Sequence, residues 1–453
     1  MDTIDTNKPF QEIGKEEYPP VDTSKFTPLT AQELIAILGL TIKRDEINKL
    51  ITFLAQLSAY TEDSQLNISF NAPSSSGKSF IPLEVSTLFP KEDVLKLGSV
   101  SATAFYHEQG VYDKEKNTIT VDLSRKIIIF LDQPSTQLLS RLRALLSHDE
   151  KEIMAKITDK NQKGGNRTKT VVIRGFPSVI FCTAGLQIDE QEATRFLLLS
   201  PEINQEKIRQ AIFEKIKKEA NSATYKRDLE TNPERRLLKE RIIAIKEENI
   251  VDIQIANSGL LKQLFVERSK TFKPRSQRDI GRVISLIKVF ALLNLWFRER
   301  HGLALIANDE DIQEAFKIWD VISESQELNL PPYVYNLYKD VIVTAFTEKN
   351  GELDGAAGKV GLTRQEIFQK HYKIYGRFLP DWQFRQEILP ILETSGLIMQ
   401  EADPLDKRKQ LIYPTSLIIA QGKNNSELEG GVNETLPLTE AEQYFVEMAD
   451  SES

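Results

Sequence analysis

Cysteine is almost absent from this 453-residue sequence, and long apolar runs are missing altogether. A single cysteine, Cys182, excludes an internal disulfide and any metal site with several thiolate ligands, so we expect a reducing, cytoplasmic location. The longest apolar stretches, such as residues 127–131, are about five residues long, whereas a helix needs about 20 to cross a bilayer. Residues 1–27 hold six acids and no apolar block, which argues against a secretory or transit signal. No membrane partner is therefore expected.

The balance of charge is acidic overall but uneven along the chain. An apolar fraction of 40% and a charged fraction of 27% exclude a wholly disordered or fibrous protein, and the length indicates about two to four domains. The net charge is −8, yet residues 417–453 carry −7 and residues 1–27 carry −3, which leaves +2 for residues 28–416. The acidic total therefore does not exclude nucleic acid as a partner.

Composition and hydrophobic periodicity divide the chain into five segments. Apolar runs at residues 126–131 and 179–182 alternate with helical patterns, which is typical of buried parallel strands in an α/β fold, and the pattern after Pro201 is almost entirely helical. The predicted segments are a disordered leader over 1–27, an α/β core over 28–205, a helical lid over 206–332, a helical unit with a hairpin over 333–416, and an acidic disordered tail over 417–453.

The tail ends in a short predicted helix. Thr439 and Glu442 have the spacing of a capping box, and apolar and aromatic residues follow at 444–448. We predict a docking peptide for a replication partner protein or for the chain's own basic surface. A frayed helix without a partner is the alternative, because helices this short are marginal alone.

Residues 333–416 predict three helices followed by a hairpin, which is the order of a winged helix-turn-helix. The third helix carries polar side chains that suit DNA, but its Asp381 and Glu387 would repel phosphates. Protein docking is therefore an alternative to sequence readout. The candidate DNA contacts of this unit are Arg385, Lys407, Arg408 and Lys409.

Residues 72–79 carry the strongest chemical signal. They fit the phosphate-binding pattern G-x-x-x-x-G-K-[ST], except that alanine replaces the first glycine, and an apolar strand pattern precedes them. Small residues let backbone N–H groups surround phosphates, Lys78 reaches the β- and γ-phosphate oxygens, and the Ser79 hydroxyl binds Mg²⁺. A serine-rich surface turn is the alternative. The predicted ATP-binding residues are Ala72, Pro73, Ser74, Ser75, Ser76, Gly77, Lys78 and Ser79.

A nucleotide site also needs an acid at the end of a second strand. Asp132 ends the apolar run at 127–131 and is the candidate Mg²⁺ ligand beside Ser79, although in isolation it would also suit a helix N-cap. Gln133 follows, where many such ATPases have a glutamate base. A glutamine can orient a water but cannot take its proton.

A basic hairpin is predicted over residues 155–175. Its net charge is +5, and Gly164 and Gly165 lie between two arms, which is a hairpin signal. A protruding basic hairpin can contact DNA phosphates, and a solvated hairpin without a ligand is the alternative. The candidate DNA contacts are Lys160, Lys163, Arg167 and Lys169.

The order of these features resembles the minichromosome-maintenance (MCM) helicases of the AAA+ ATPases, in particular their shortened relatives on mobile elements. The resemblance covers roughly residues 43–330, with the winged helix as a further shared module. Residues 101–104 and a polar hairpin at 109–122 lie where that family inserts an element into helix 2, and residues 156–174 lie where it has the pre-sensor-1 hairpin.

The resemblance also implies roles for three further residues. Residues 181–184 match the sensor-1 strand, with Thr183 in place of the usual asparagine. Arg195 in Thr-Arg-Phe is similar to the arginine finger, which acts on a neighbouring subunit, and Arg278 lies at the start of a sensor-2 helix. A structural ion pair for Arg195 and a surface charge for Arg278 are the alternatives. The family's large N-terminal collar is missing, because only about seventy residues precede the loop.

We therefore expect an α/β AAA+ P-loop ATPase core with a helical lid, followed by a winged helix-turn-helix domain. The expected function is an ATP- and Mg²⁺-dependent helicase or translocase on single-stranded or forked DNA, acting as a homo-oligomeric, hexameric ring in replication of a plasmid, virus or mobile element. The first alternative, favoured by Gln133, is an ATP-switched DNA-binding or helicase-loader protein with weak or no hydrolysis. A signalling ATPase of the STAND type is a third, less favoured because the basic hairpin would then lack a purpose.

Overall fold

The computed structural model describes residues 20–108, 110–113, 115–159, 167–186, 194–268, 272–273, 275–351 and 360–415. The predicted docking tail, the tip of the basic hairpin with Lys160 and Lys163, and most of the predicted leader lie outside these ranges. Of Arg167 only the backbone is described.

Strands and helices alternate through the first half of the chain, and helices dominate the second. The strands are β1 (Ile68–Asn71), β2 (Val94–Leu97), β3 (Val111–Asp113), β4 (Thr118–Asp122), β5 (Ile127–Phe130), β6 (Glu152–Asp159), β7 (Arg167–Arg174), β8 (Ser178–Thr183), β9 (Leu197–Leu199), β10 (Asp252–Ile255), β11 (Arg300–His301), β12 (Ala304–Ala307), β13 (Ile398–Ala402) and β14 (Gln410–Pro414).

The α-helices are α1 (Ala31–Leu38), α2 (Glu46–Ser58), α3 (Phe80–Val85), α4 (Thr136–Leu146), α5 (Gln205–Ala220), α6 (Ser222–Thr231), α7 (Pro233–Glu248), α8 (Ser258–Arg268), α9 (Ser276–Leu293), α10 (Asp309–Glu327), α11 (Pro332–Asn336), α12 (Thr344–Asn350), α13 (Arg364–Tyr375), α14 (Asp381–Gln383) and α15 (Leu389–Thr394). The π-helical turns Leu337–Val343 and Phe384–Ile388 join α11 to α12 and α14 to α15.

The central sheet of the described chain is parallel and has five strands in the order β2-β5-β8-β1-β9. Its middle strands are buried on both faces. Ile127 and Ile129 of β5 join the apolar core formed with α2 and α9, whereas Ile128 and Phe130 join a second core with α4. Helices therefore cover both sides, as a parallel sheet requires, and the α/β prediction is confirmed.

A second sheet, of order β3-β4-β7-β6, carries the basic hairpin. Strands β6 and β7 pair antiparallel from Glu152 with Arg174 to Asp159 with Arg167, so the two arms of the expected hairpin are present. Val171 and Ile173 of β7 pack into the α4 core, while the β6 side chains from 152 to 158 alternate between exposed and half-buried. The base of the hairpin is thus anchored in the core.

Two regions differ from the sequence-based expectation. The predicted helical lid also contains the small sheet β10-β12-β11, whose strands of two to four residues are too short to show a period in the sequence. At the predicted leader, Phe26 is 5% exposed and packs on Trp296 with ring centroids 4.6 Å apart. Phe26 is thus an aromatic anchor within the predicted leader that composition did not reveal.

The C-terminal unit has its own apolar core. Helices α11 to α15 surround Val334, Ile367 and Phe384, and the hairpin β13–β14 closes the unit through Ile398 and Ile412. The predicted order of three helical segments and a hairpin is present in the described residues. The capping box of Thr363 and Glu366 starts α13. Across the described residues, no helix is long and apolar enough to span a membrane.

Candidate nucleotide-binding site

The loop at 72–79 leaves the carboxyl end of β1 and enters α3. Ser75 and Gly77 adopt positive φ values of 64° and 92°, which a serine adopts at a cost of about 1 kcal/mol or more and a glycine adopts freely. Such left-handed residues within a turn direct successive backbone N–H groups to one side, where they form a concave anion site. Ser76 Oγ is buried in this loop and has no hydrogen-bond partner in the described structure. Both features fit a bound phosphate.

Lys78 lies against its own loop and is partly buried. Its Nζ donates a hydrogen bond to the carbonyl oxygen of Pro73 at 3.1 Å. Burial is the main cause that lowers the pKa of Lys78, and Arg377 lowers this pKa further, whereas Cys182 and Asp132 act in the opposite direction. The Arg377 charge destabilises the ammonium ion at short range, and the Asp132 charge stabilises it. Lys78, Asp132 and Arg377 therefore belong to one electrostatic environment.

Ser79 and Cys182 face each other beneath the loop. The Cys182 Sγ donates to the carbonyl oxygen of Lys78 at 3.5 Å, and burial raises the pKa of the Cys182 thiol to about 11 despite a hydrogen bond with Ser79. The thiol is thus a neutral packing group at physiological pH. Ser79 occupies the position whose hydroxyl binds Mg²⁺ in the phosphate-loop pattern.

Asp132, Gln133 and Thr183 meet at the carboxyl ends of two neighbouring strands. The Gln133 N–H donates to Asp132 Oδ1 at 2.8 Å, and the Thr183 hydroxyl donates to Gln133 Oε1 at 3.0 Å. The Gly185 N–H in turn donates to Thr183 Oγ1 at 3.0 Å. The N-cap of α4 is Ser135, which accepts from the Leu138 N–H, so the helix-cap interpretation of Asp132 is wrong.

Strand order explains why these residues gather. Strand β8, which ends at Thr183, lies between β5 and β1. The chain leaves β5 toward Asp132 and leaves β1 into the loop, so both segments lie beside Thr183. The Ala72 N–H bonds the carbonyl oxygen of Thr183 at 3.4 Å. Crevices at the carboxyl edge of a parallel sheet are the usual ligand sites of α/β folds. The loop residues, Asp132, Gln133 and Thr183 therefore share one edge.

A cleft of about 1110 Å³ opens beside the loop. Its walls come from the loop itself, the α1–α2 connection at 41–45, helices α5 and α6, and residues 375–377 of the C-terminal unit. Ile42, Ile203 and Ile212 give it an apolar wall that suits the base of a nucleotide. Sequence reasoning missed Arg377 because nothing in its local sequence indicates contact with a loop three hundred residues away.

The carboxylates present suit a magnesium ion held largely by a nucleotide. Among the described residues, no three His, Cys, Asp or Glu side chains cluster as a self-sufficient metal site. Mg²⁺ commonly binds through one or two protein oxygens together with substrate phosphates and water. Ser79 and Asp132 match that donor set.

Arg195 and Arg278 lie in a different cleft, of about 510 Å³. Arg195 Nε donates to Ser147 Oγ at 2.7 Å, and Arg278 donates to the hydroxyl of Thr194. The cleft is lined by residues 63–67, just before β1, so it lies at the amino edge of the sheet. The structure brings these two arginines together but separates them from the loop of the same chain.

Arg282 holds the turn that carries Arg195, a role that no local sequence pattern indicates. It is buried and donates to the carbonyl oxygens of Thr194 and Phe196, each at 2.9 Å, and to Asp279 Oδ1 at 3.1 Å. Burial lowers the pKa of Arg282 to about 10, which still leaves it charged at neutral pH. Arg282 and Asp279 therefore tie the start of α9 to the Arg195 turn.

The predicted DNA contacts occupy two separate places. Lys169 lies half-buried on β7, while the turn between β13 and β14 carries Lys407, Arg408 and Lys409. Asp406 pairs with Arg408 at 3.2 Å and with Lys409 at 3.7 Å, and Arg385 pairs with Asp381 at 2.9 Å. These exposed pairs reduce the local positive charge of the C-terminal unit. The hairpin of β6 and β7 is the more basic candidate surface.

No protein-family model matches this chain, and no curated protein matches it. The functional interpretation therefore depends on the residues and their geometry.

Proposed function

We propose that this chain is an AAA+ ATPase that works as an oligomeric, ATP-driven DNA translocase or helicase and carries a C-terminal winged helix. One observation supports this most strongly. The phosphate-type loop, Asp132, Gln133 and Thr183 meet at the carboxyl edge of one parallel sheet, while Arg195 and Arg278 share a cleft at the opposite edge.

In the proposed site, the loop binds the phosphates of ATP. Its left-handed residues turn N–H groups inward, Lys78 neutralises the β- and γ-phosphates, and Ser79 with Asp132 holds Mg²⁺. A Mg²⁺ held there would neutralise charge on the phosphates. Gln133, tied to Thr183 at 3.0 Å, orients the attacking water.

The opposite positions of loop and arginines support a site shared between subunits. Strand β1 has four residues and spans roughly 13 Å, at about 3.3 Å per residue, between the arginine cleft and the loop. An arginine at the amino edge lies across the sheet from the proposed nucleotide of its own subunit. A neighbouring subunit would bring Arg195 and Arg278 to the γ-phosphate, as arginine fingers supplied in trans do.

The anchored hairpin supports DNA as the partner. Residues 155–175 carry +5, and their base is held in the α4 core through Val171 and Ile173. Basic side chains on a supported hairpin gain affinity for phosphates by releasing counterions. In the proposed cycle, hydrolysis moves this hairpin along a strand within a ring, and hexamers are the expected assembly.

Gln133 supports a second candidate function, an ATP-switched DNA-binding protein or helicase loader. A glutamine held by Thr183 can position water but accepts no proton, so hydrolysis would be slow. Such a protein would bind DNA in an ATP-dependent way without moving along it.

ATP turnover measured with and without single-stranded DNA, alongside strand displacement on a forked duplex, separates the two functions. The motor proposal expects DNA-stimulated turnover and displaced strand. Turnover that DNA leaves unchanged, together with ATP-dependent DNA binding, would favour the switch. Binding of neither ATP nor DNA would contradict both.

A further inference from the structure

We propose that Arg377, carried by the C-terminal unit, binds the terminal phosphates of the nucleotide held on the loop of the same chain. The proposal rests on the proposed ATP site and adds to it a charged contact from a separate structural unit. This contact would make the position of the C-terminal unit depend on the bound nucleotide.

Arg377 already reaches the loop. Its Nη1 donates to the carbonyl oxygen of Ser74 at 3.4 Å, and the two residues line the same cleft. A bond of this length to a neutral carbonyl is weak. A phosphate oxygen is a charged acceptor, which forms shorter and roughly twice as strong bonds with a guanidinium.

The charges around the loop favour an anion there. Arg377 lies close enough to Lys78 to lower the pKa of Lys78. Within the described chain, no carboxylate lies within ion-pair distance of Arg377. Two cations beside a turn of inward N–H groups favour a bound anion, and Asp132, the carboxylate that acts on Lys78, is the one proposed to bind Mg²⁺. The buried, unpartnered Ser76 Oγ in the same loop supplies an independent sign of a missing ligand.

The backbone at Arg377 is held at several points. Gly376 ends α13 with φ +63°, and its N–H donates to the carbonyl oxygen of Tyr372 at 2.7 Å. The carbonyl oxygen of Arg377 accepts from His371 Nδ1 at 2.9 Å. Gln205 Nε2, at the start of α5, donates to the carbonyl oxygen of Tyr375 at 3.0 Å. Only the Arg377 side chain is left to adjust to a ligand.

The C-terminal unit is also docked beside the loop through Ser200. The Tyr333 N–H donates to Ser200 Oγ at 2.9 Å, and Ser200 Oγ donates to the carbonyl oxygen of Asn71 at 2.6 Å. Asn71 directly precedes the loop. The nucleotide site thus lies at the junction of two units with separate apolar cores, where a phosphate bound by both would strengthen the junction.

Titration with fluorescent ATP and ADP analogues in the presence of Mg²⁺ tests the proposal on the full chain. Arg377→Ala should weaken ATP binding by about 10- to 100-fold, the range expected for one charge-assisted contact, and should weaken ADP binding less. Arg377→Lys should recover part of the loss, because it keeps the charge but not the planar fork. Lys373→Ala, which removes an exposed charge from the preceding helix α13 outside the cleft, should bind both analogues as wild type does.

Hydrogen exchange gives a second readout. ATP at saturating concentration should protect residues 371–379 in the wild type but not in Arg377→Ala, while the loop at 72–79 stays protected in both. ATP binding by Arg377→Ala as tight as wild type, or an equal loss in Lys373→Ala, would overturn the proposal and leave the proposed function intact. A wild-type chain that binds no ATP, or Lys78→Ala binding ATP normally, would overturn the ATP site itself and this inference with it.

Discussion

The hydroxyl of Thr183 donates a hydrogen bond to Oε1 of Gln133, with 3.0 Å between the two oxygens. Thr183 is the last residue of β8 and Gln133 lies just beyond β5, and these neighbouring parallel strands pair Phe181 with Phe130. The bond fixes the Gln133 side chain beside Asp132 but supplies no group that can accept a proton. It joins two of the residues that the sequence predicts for the nucleotide site.

This pair predicts that a carboxylate at residue 133 will raise ATP turnover. Gln133→Glu should increase turnover by about two orders of magnitude, the lower end for general acid–base catalysis, because it places a base where water is oriented. Gln137→Glu, an exposed change on α4, is the matched control and should leave the rate unchanged. Normal nucleotide binding by Gln133→Glu without any gain in rate would show that this residue is not the one facing the water.

Lys78→Ala should abolish detectable ATP binding while leaving the fold intact. The Lys78 side chain is half-buried and bonds only its own loop through Pro73 among the described residues, so its loss removes little structural support. Binding is measured with a fluorescent ATP analogue and folding by circular dichroism. Exposed Lys96→Ala serves as the control. Wild-type affinity in Lys78→Ala would mean that residues 72–79 form only a surface turn.

Mixed oligomers test whether Arg195 acts in trans. Arg195→Ala and Lys78→Ala subunits, each inactive alone, should recover part of the turnover when mixed, because some interfaces then pair an intact loop with an intact arginine cleft. Mixing Arg195→Ala with Arg278→Ala is the control. Both arginines line one cleft, so every subunit in that mixture carries a cleft that lacks one of them. Absence of recovery in rings shown to be mixed would assign Arg195 a structural role through Ser147.

The basic hairpin should control the salt dependence of DNA binding. Replacing Lys160, Lys163 and Arg167 together by alanine should reduce the slope of log K against log salt by roughly 2 to 3 units, at about 0.7–0.9 for each lost phosphate contact. The matched control replaces Lys317, Lys339 and Lys373, three exposed lysines outside the hairpin, by alanine. It therefore has the same net charge as the hairpin variant. If both triple variants have the same slope, the hairpin is not in the DNA path.

Buried His371 predicts a loss of stability at mildly acidic pH. Burial lowers the pKa of His371, and the nearby Arg377 charge acts in the same direction, while the bond to the Arg377 carbonyl partly opposes them. The unfolded chain, where a histidine titrates near pH 6.5, therefore binds more protons than the folded chain below that pH. The free energy of unfolding should fall as the pH decreases through about 6.5.

Urea unfolding at about pH 7.5 and pH 5.5 measures this effect. His371→Gln should lose less stability between the two pH values than wild type, because glutamine does not titrate. His301→Gln alters an exposed histidine and should retain the wild-type difference. An identical pH difference in all three proteins would place the sensitivity elsewhere, for example at the half-buried His148, whose pKa is also lowered by desolvation.

Local sequence was sufficient to predict the strands, helix starts and loop that depend on interactions between neighbouring residues. The apolar runs before Asp132 and Thr183 determined two parallel strands, because buried strands need side chains that suit both faces of a sheet. The pairs Thr30 with Glu33 and Thr363 with Glu366 determined two helix starts through capping bonds within one turn. The loop at 72–79 was visible because its composition and spacing are local.

Only the tertiary structure decided which of these residues meet. Strand order, which depends on long-range pairing, put Thr183 beside Gln133 and placed Arg195 and Arg278 across the sheet from Lys78. The packing of two separate cores brought Arg377 to Ser74, a contact 303 residues apart in the chain. No periodicity or spacing encodes such a contact, because its energy comes from the docking of whole units rather than from neighbouring residues.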